Sequence, residues 1–79
     1  MNTKEINEYY VIKLFSIIKN RYTYLYANNP YQTIFTANRY SSYEEGFARM
    51  QEFFQWGDDR KDFDINKSKV AKITLIIED

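Results

Sequence analysis

The chain has 79 residues, fifteen of them Phe, Tyr or Trp, with no His and no Cys, and eleven acids balance eleven bases. One small domain is the expected count, with no disulfide or Cys-based metal site to staple it. Absence of the usual general base and the most reactive nucleophile points away from an enzyme, and the aromatic excess towards a contact surface.

The neutral total hides a gradient. Residues 1–43 carry five bases against two acids, residues 44–64 seven acids against three bases, and residues 65–79 three bases against two acids. A chain-wide electrostatic hold on nucleic acid is therefore not expected, whereas a local acidic patch is. The opening Met1-Asn2-Thr3-Lys4-Glu5 has no apolar signal region, and no uninterrupted apolar run is longer than the four residues Tyr9 to Ile12. Neither a secretory leader nor a membrane span is expected. Lack of Cys agrees with a reducing compartment.

Residues 9–18, Tyr-Tyr-Val-Ile-Lys-Leu-Phe-Ser-Ile-Ile, admit two readings. Their β-branched and aromatic content favours a strand. Their spacing also gathers Ile6, Tyr10, Leu14, Ile17 and Ile18 on one side of a helical wheel, with Asn2 and Glu5 as a capping pair. Lys19-Asn20 suits a tight turn, because Asn tolerates positive φ. Residues 21–27 read as a strand with Tyr22, Tyr24 and Tyr26 on one face and Thr23, Leu25 and Ala27 on the other. Asn28-Asn29-Pro30 is a turn signal, and residues 31–37 read as a third strand.

Ser42-Tyr43-Glu44-Glu45 is a capping box that opens a helix. Tyr43, Phe47, Met50 and Phe54 then form an apolar stripe, and Gly57 after Trp56 is a stop signal. Residues 58–69 read as a charged loop and residues 70–78 as a closing strand. The expected fold is α+β: a small antiparallel sheet of about four strands with one helix packed across it, β-β-β-α-β. A helical first element would make it α-β-β-α-β. A single helix leaves one sheet face bare, and that uncovered face is expected to expose part of the Tyr stripe.

Three groups of residues are candidate contact sites. Asp58, Asp59, Asp62 and Asp64 supply acidic charge, Trp56 a large anchor beside them, and Tyr22, Tyr24 and Tyr26 an aromatic stripe. Asp62, Asp64 and Asn66 match the first ligands of a calcium loop, but Lys67 replaces its Gly and Ile73 its bidentate Glu, so no metal is expected. No cofactor is expected either: the two Gly are eleven residues apart and form no phosphate loop, and no Ser has a His to activate it.

Ile, Lys, Asn, Tyr and Phe, which AT-rich codons specify, fill 37 of the 79 positions. With small size, no catalytic vocabulary, a strand-helix order through Tyr31–Phe54 and an acidic stretch from Glu44 to Asp64, the chain resembles small phage-encoded anti-defence proteins, anti-CRISPR proteins among them. The resemblance implies a cytoplasmic protein of the bacterial host cell that blocks a nuclease complex by occupying its nucleic-acid or partner surface. The basic ends depart from a uniformly acidic nucleic-acid mimic. The expected function is thus a non-enzymatic protein-binding module, an inhibitor or adaptor, with a homodimer as a further state. The alternatives are a small nucleic-acid-binding domain using Lys13, Lys19, Arg21 and Arg39, and a self-assembling structural subunit. No membrane partner is expected.

Overall fold

A computed structural model describes residues 4–78. The elements are β1 (Lys4–Ser16), β2 (Arg21–Tyr26), β3 (Asn29–Gln32), α1 (Tyr43–Trp56), a 3-10 turn over Arg60–Asp62, and β4 (Phe63–Glu78). They form one antiparallel sheet in the order β3-β2-β1-β4 with the helix on one face. The β-β-β-α-β order follows the α+β expectation. The first element is a strand, so its β-branched content outweighs its helical spacing: β4 offers it a partner along almost its whole length. The Asn2 cap of the helical reading lies outside the described residues.

The core lies between α1 and the central strands. Ile12, Leu14 and Leu25 from the sheet meet Met50 and Phe53 from the helix and Phe63 from the start of β4. Phe53 stands edge-on to Phe54 and Phe63 at 5.3 and 5.6 Å. Alternation along β2 then sends Tyr22, Tyr24 and Tyr26 to the opposite, bare face.

Four details differ from the sequence expectation, each for a local reason. The third strand stops at Gln32 because Thr33 and Thr36 close a turn: the Thr33 amide donates to Thr36 Oγ1 at 3.1 Å and the Thr36 amide to the Thr33 carbonyl at 3.2 Å. The β2–β3 reversal falls on Ala27 and Asn28, with Ala27 at φ 50, so Asn29 and Pro30 already belong to β3. Fourth-strand pairing begins at Phe63 rather than Val70, so most of the charged stretch is strand. A wide bulge sets four residues of β4, Ile65 to Ser68, against Leu14 alone. Ser68 fills it, accepting from the Phe15 amide at 3.0 Å and donating to the Asp64 carbonyl at 2.7 Å.

The fourth difference is the buried helix stripe, which is Gly46, Met50 and Phe53; Tyr43 and Phe47 are exposed and Phe54 half-buried. Gly46 sets this rotation. A Cβ there would lie 2.9 Å from Val70 Cγ1, so the backbone of the helix rests directly on β4. The N-cap forms as expected, with Ser42 Oγ accepting from the Glu45 amide at 3.2 Å, but the Glu45 carboxylate reaches back to Ser41 rather than Ser42.

Gly57 ends the helix without positive φ (φ −63), and its amide donates to the Phe53 carbonyl at 2.8 Å. It is needed for space: a Cβ would fall 2.6 Å from that carbonyl oxygen. Gly57→Ala is expected to destabilise the fold by about 1–3 kcal/mol, as overpacking does, read as a lowered thermal midpoint. An unchanged midpoint would show that the helix end relaxes freely.

The β1–β4 pair outruns the rest of the sheet. β4 spans sixteen residues, and the molecule measures 51 × 24 × 20 Å. Its long axis is close to the reach of a sixteen-residue strand at about 3.3 Å per residue.

Candidate functional site

Helix α1 delivers Trp56 to its last position, where the chain turns outward through Gly57. The indole is 72% exposed. The turn after it is internally tied. Arg60 Nη1 donates to the Gly57 carbonyl at 2.9 Å, and the Asp62 amide to the Asp59 carbonyl at 3.0 Å. Asp58 and Asp59 are thereby held next to Trp56.

On the other side, Arg49 clamps the β2–β3 turn to the helix. Its Nη2 donates to the Ala27 carbonyl at 2.8 Å and to Asn28 Oδ1 at 3.1 Å, and Nη1 lies 3.9 Å from Glu52 Oε1. Between clamp and turn lies a hollow of about 160 Å³ floored by Phe53 and Gly57 and walled by Asn28, Arg49, Glu52, Trp56, Asp58 and Asp59. Three carboxylates against one guanidinium make it acidic. The volume falls below the roughly 300 Å³ at which small-molecule sites begin, and suits a single inserted side chain.

The four predicted acids do not act as one patch. Asp58 and Asp59 line the hollow. Asp62 lies farther along the turn, where its Oδ2 accepts from the Tyr31 hydroxyl at 3.3 Å and its carbonyl from the Ile17 amide at 2.8 Å. Burial first, then the Asp62 charge and hydrogen bond and the more distant Asp59, push the Tyr31 hydroxyl above its usual pKa. Asp64 is in β4 opposite Phe15, where its Oδ1 accepts from the Asn66 amide at 2.9 Å. Among the described residues no group of three or more His, Cys, Asp or Glu is placed to hold a metal ion.

Nor does the Tyr stripe join Trp56, since the sheet separates them. On the bare face Tyr22 meets Phe15 edge-on at 5.1 Å, and Lys13 Nζ lies 4.4 Å from the Tyr22 ring centre. Lys67 Nζ lies 4.6 Å above Phe15 and Lys69 6.0 Å from Tyr22. Arg39 covers Tyr9 at 4.4 Å. Tyr24 is half-buried, and exposed Tyr26 borders a shallow depression with Gln32 and Thr36. This face is aromatic and basic, with bases drawn from both ends of the chain.

Sequence reasoning missed Asn28, Arg49 and Glu52 in the hollow, and Lys67 and Lys69 on the bare face. Glu52 was within reach: it lies four positions before Trp56 on the same helix face. Arg49 and Asn28 meet only through tertiary packing, and no local pattern signals that. No helix among the described residues is long and apolar enough to cross a membrane. No known protein family matches the chain, and searches of curated proteins and of solved structures return no match.

Proposed function

We propose that this protein is a non-enzymatic protein-binding module, an inhibitor or adaptor that docks on a larger nucleoprotein or nuclease complex in the bacterial cytoplasm, in the manner of phage anti-defence proteins. The observation that carries this is the exposed Trp56 at the lip of the acidic hollow. A large ring left in water beside Asp58 and Asp59, which form no ion pair among the described residues, is a cost to the free chain and an asset on binding: it offers desolvation, cation–π contact and charge complementarity together. The hollow's size and sign suit an Arg or Lys side chain. Surfaces rich in those residues are the ones built to hold nucleic-acid phosphates, so occupying one would displace its nucleic acid.

The test is affinity capture from a low-GC bacterial lysate with nuclease added. A protein partner that survives nuclease is expected, and it should be released by moderate salt. Capture of nucleic acid alone in a parallel sample without nuclease, with nothing left once nuclease is added, would overturn the reading.

The bare face favours a second reading, a nucleic-acid-binding domain, because Lys13, Lys67 and Lys69 ride over Phe15 and Tyr22. It predicts direct binding of a single-stranded oligonucleotide whose affinity falls steeply with salt, and that Lys67→Ala with Lys69→Ala flattens the slope. A salt-independent or undetectable interaction rejects it.

A further inference from the structure

Beyond Tyr10 and Lys72 the β1–β4 pair leaves the body of the protein. Over Lys4–Tyr9 and Ile73–Glu78 each strand has only the other as a partner among the described residues. A lone two-stranded ribbon is marginal in water. This one also exposes Ile6, Leu75, Ile76 and Ile77, with Ile76 56% open.

The two free edges differ. In the arm, β1 carries Lys4, Glu5 and Glu8 within six residues, the kind of charge that guards an edge. β4 carries no charge and no Pro from Ile73 to Ile77. Its charges flank that run, Lys72 before it and Glu78 after it. Each already meets an opposite charge on β1: Lys72 Nζ is 3.1 Å from Glu8 Oε2, and Lys4 Nζ 3.3 Å from Glu78 Oε1.

We infer that the β4 edges of two copies pair antiparallel about a two-fold axis at Leu75, forming a homodimer with one continuous sheet. Such an axis pairs residues of the same sheet face. With Leu75 opposite its own copy, Ile73 faces Ile77, Thr74 faces Ile76, and Lys72 faces Glu78 of the second copy, each pair occurring twice. Signs then alternate across the four strands: Lys4, Glu78, and Lys72 and Glu8 of the second copy. Shifted registers lose this. Centring on Lys72 sets Lys72 against itself, centring on Ala71 sets Asp64 against Glu78, and centring on Thr74 sets Lys72 against Ile76. Cross-strand opposite charges stabilise and like charges destabilise, so the charge pattern selects the Leu75 register. Tyr43, at the start of α1, packs on Tyr10 at the base of the arm, while Phe53 near its end packs on Phe63. The Trp56 hollows therefore lie at the outer ends of the dimer and stay open.

Sedimentation across a concentration series tests the pairing. Mass is expected to rise from one chain to two. Lys72→Glu is expected to weaken association at least tenfold, and the full swap that keeps both intrachain pairs opposite in sign (Lys72→Glu with Glu8→Lys, Glu78→Lys with Lys4→Glu) to restore it, with far-UV circular dichroism showing the sheet retained. Register is read by cysteine cross-linking in a chain that has none of its own. Leu75→Cys should form a disulfide dimer under mild oxidation, its Cβ atoms facing at about 5 Å. Ile77→Cys should not, being offset from its copy by four residues, about 13 Å. A one-chain mass at every concentration overturns the inference. So does equal cross-linking of the two Cys variants, or a charge swap that fails to restore the dimer.

Discussion

Phe53→Ala is expected to remove a large share of the chain's folding free energy. Phe53 is 2% exposed and joins the helix to both ends of the sheet's core, touching Phe54 and Phe63 edge-on within the cluster of Ile12, Leu14, Leu25 and Met50. Truncating a buried Phe costs about 3–5 kcal/mol, the lost transfer energy plus the cavity left behind. A domain of this length holds only about 4–12 kcal/mol in total. Each kcal/mol moves the thermal midpoint of so small a domain by about 4–8 °C, so a fall of at least about 12 °C is expected. Phe47→Ala is the contrast: on the periodic stripe of the sequence but 37% exposed and stacked on Tyr43 outside the core, it should cost markedly less than Phe53→Ala. Equal losses at the two positions would return the helix to the stripe of Tyr43, Phe47, Met50 and Phe54.

The second large effect is on binding. Trp56→Ala is expected to weaken partner binding by about 30-fold or more, the roughly 2 kcal/mol that marks an interface hot spot. Asp58→Lys with Asp59→Lys should abolish measurable binding by reversing the sign of the hollow. Neither should unfold the domain, since the Trp56 ring and Asp58 are exposed and the turn's hydrogen bonds come from backbone groups and Arg60. Titration calorimetry with the captured partner, alongside thermal melts of both variants, separates lost affinity from lost fold. Full affinity in a folded Trp56→Ala would remove the hollow from the interface.

Local chemistry made much of this fold legible before any coordinates. Alternation placed Tyr22, Tyr24 and Tyr26 together, the Ser42 box marked the helix start, and Gly57 its end. Where local signals misled, a tertiary contact had decided. Val70 needs Gly46 beneath the helix, which turns Phe53 inward and Phe47 outward. Pairing with β1 draws Phe63–Lys69 out of an apparent loop and into a strand, which separates Asp64 from Asp58 and Asp59. The candidate site was half visible for the same reason. Trp56, Asp58 and Asp59 are neighbours in sequence and remain so in space. Arg49 and Asn28 are brought to them only because the helix packs against the β2–β3 turn. Lys67 and Lys69 reach the aromatic face through a bulge that composition does not announce.

Trp56 is the chain's single Trp, so the proposed interface contains its own probe. The most direct measurement is the fluorescence of wild-type protein titrated with the captured partner, with acrylamide quenching at each end of the titration. Excitation of a Trp-containing partner is handled by subtracting the same titration made with Trp56→Ala where binding persists, or with partner alone. Burial of the indole against a basic surface predicts a blue-shifted emission and a marked drop in quenching on binding. Emission and quenching that stay those of an exposed indole, while binding saturates, would contradict it and place the partner on another face.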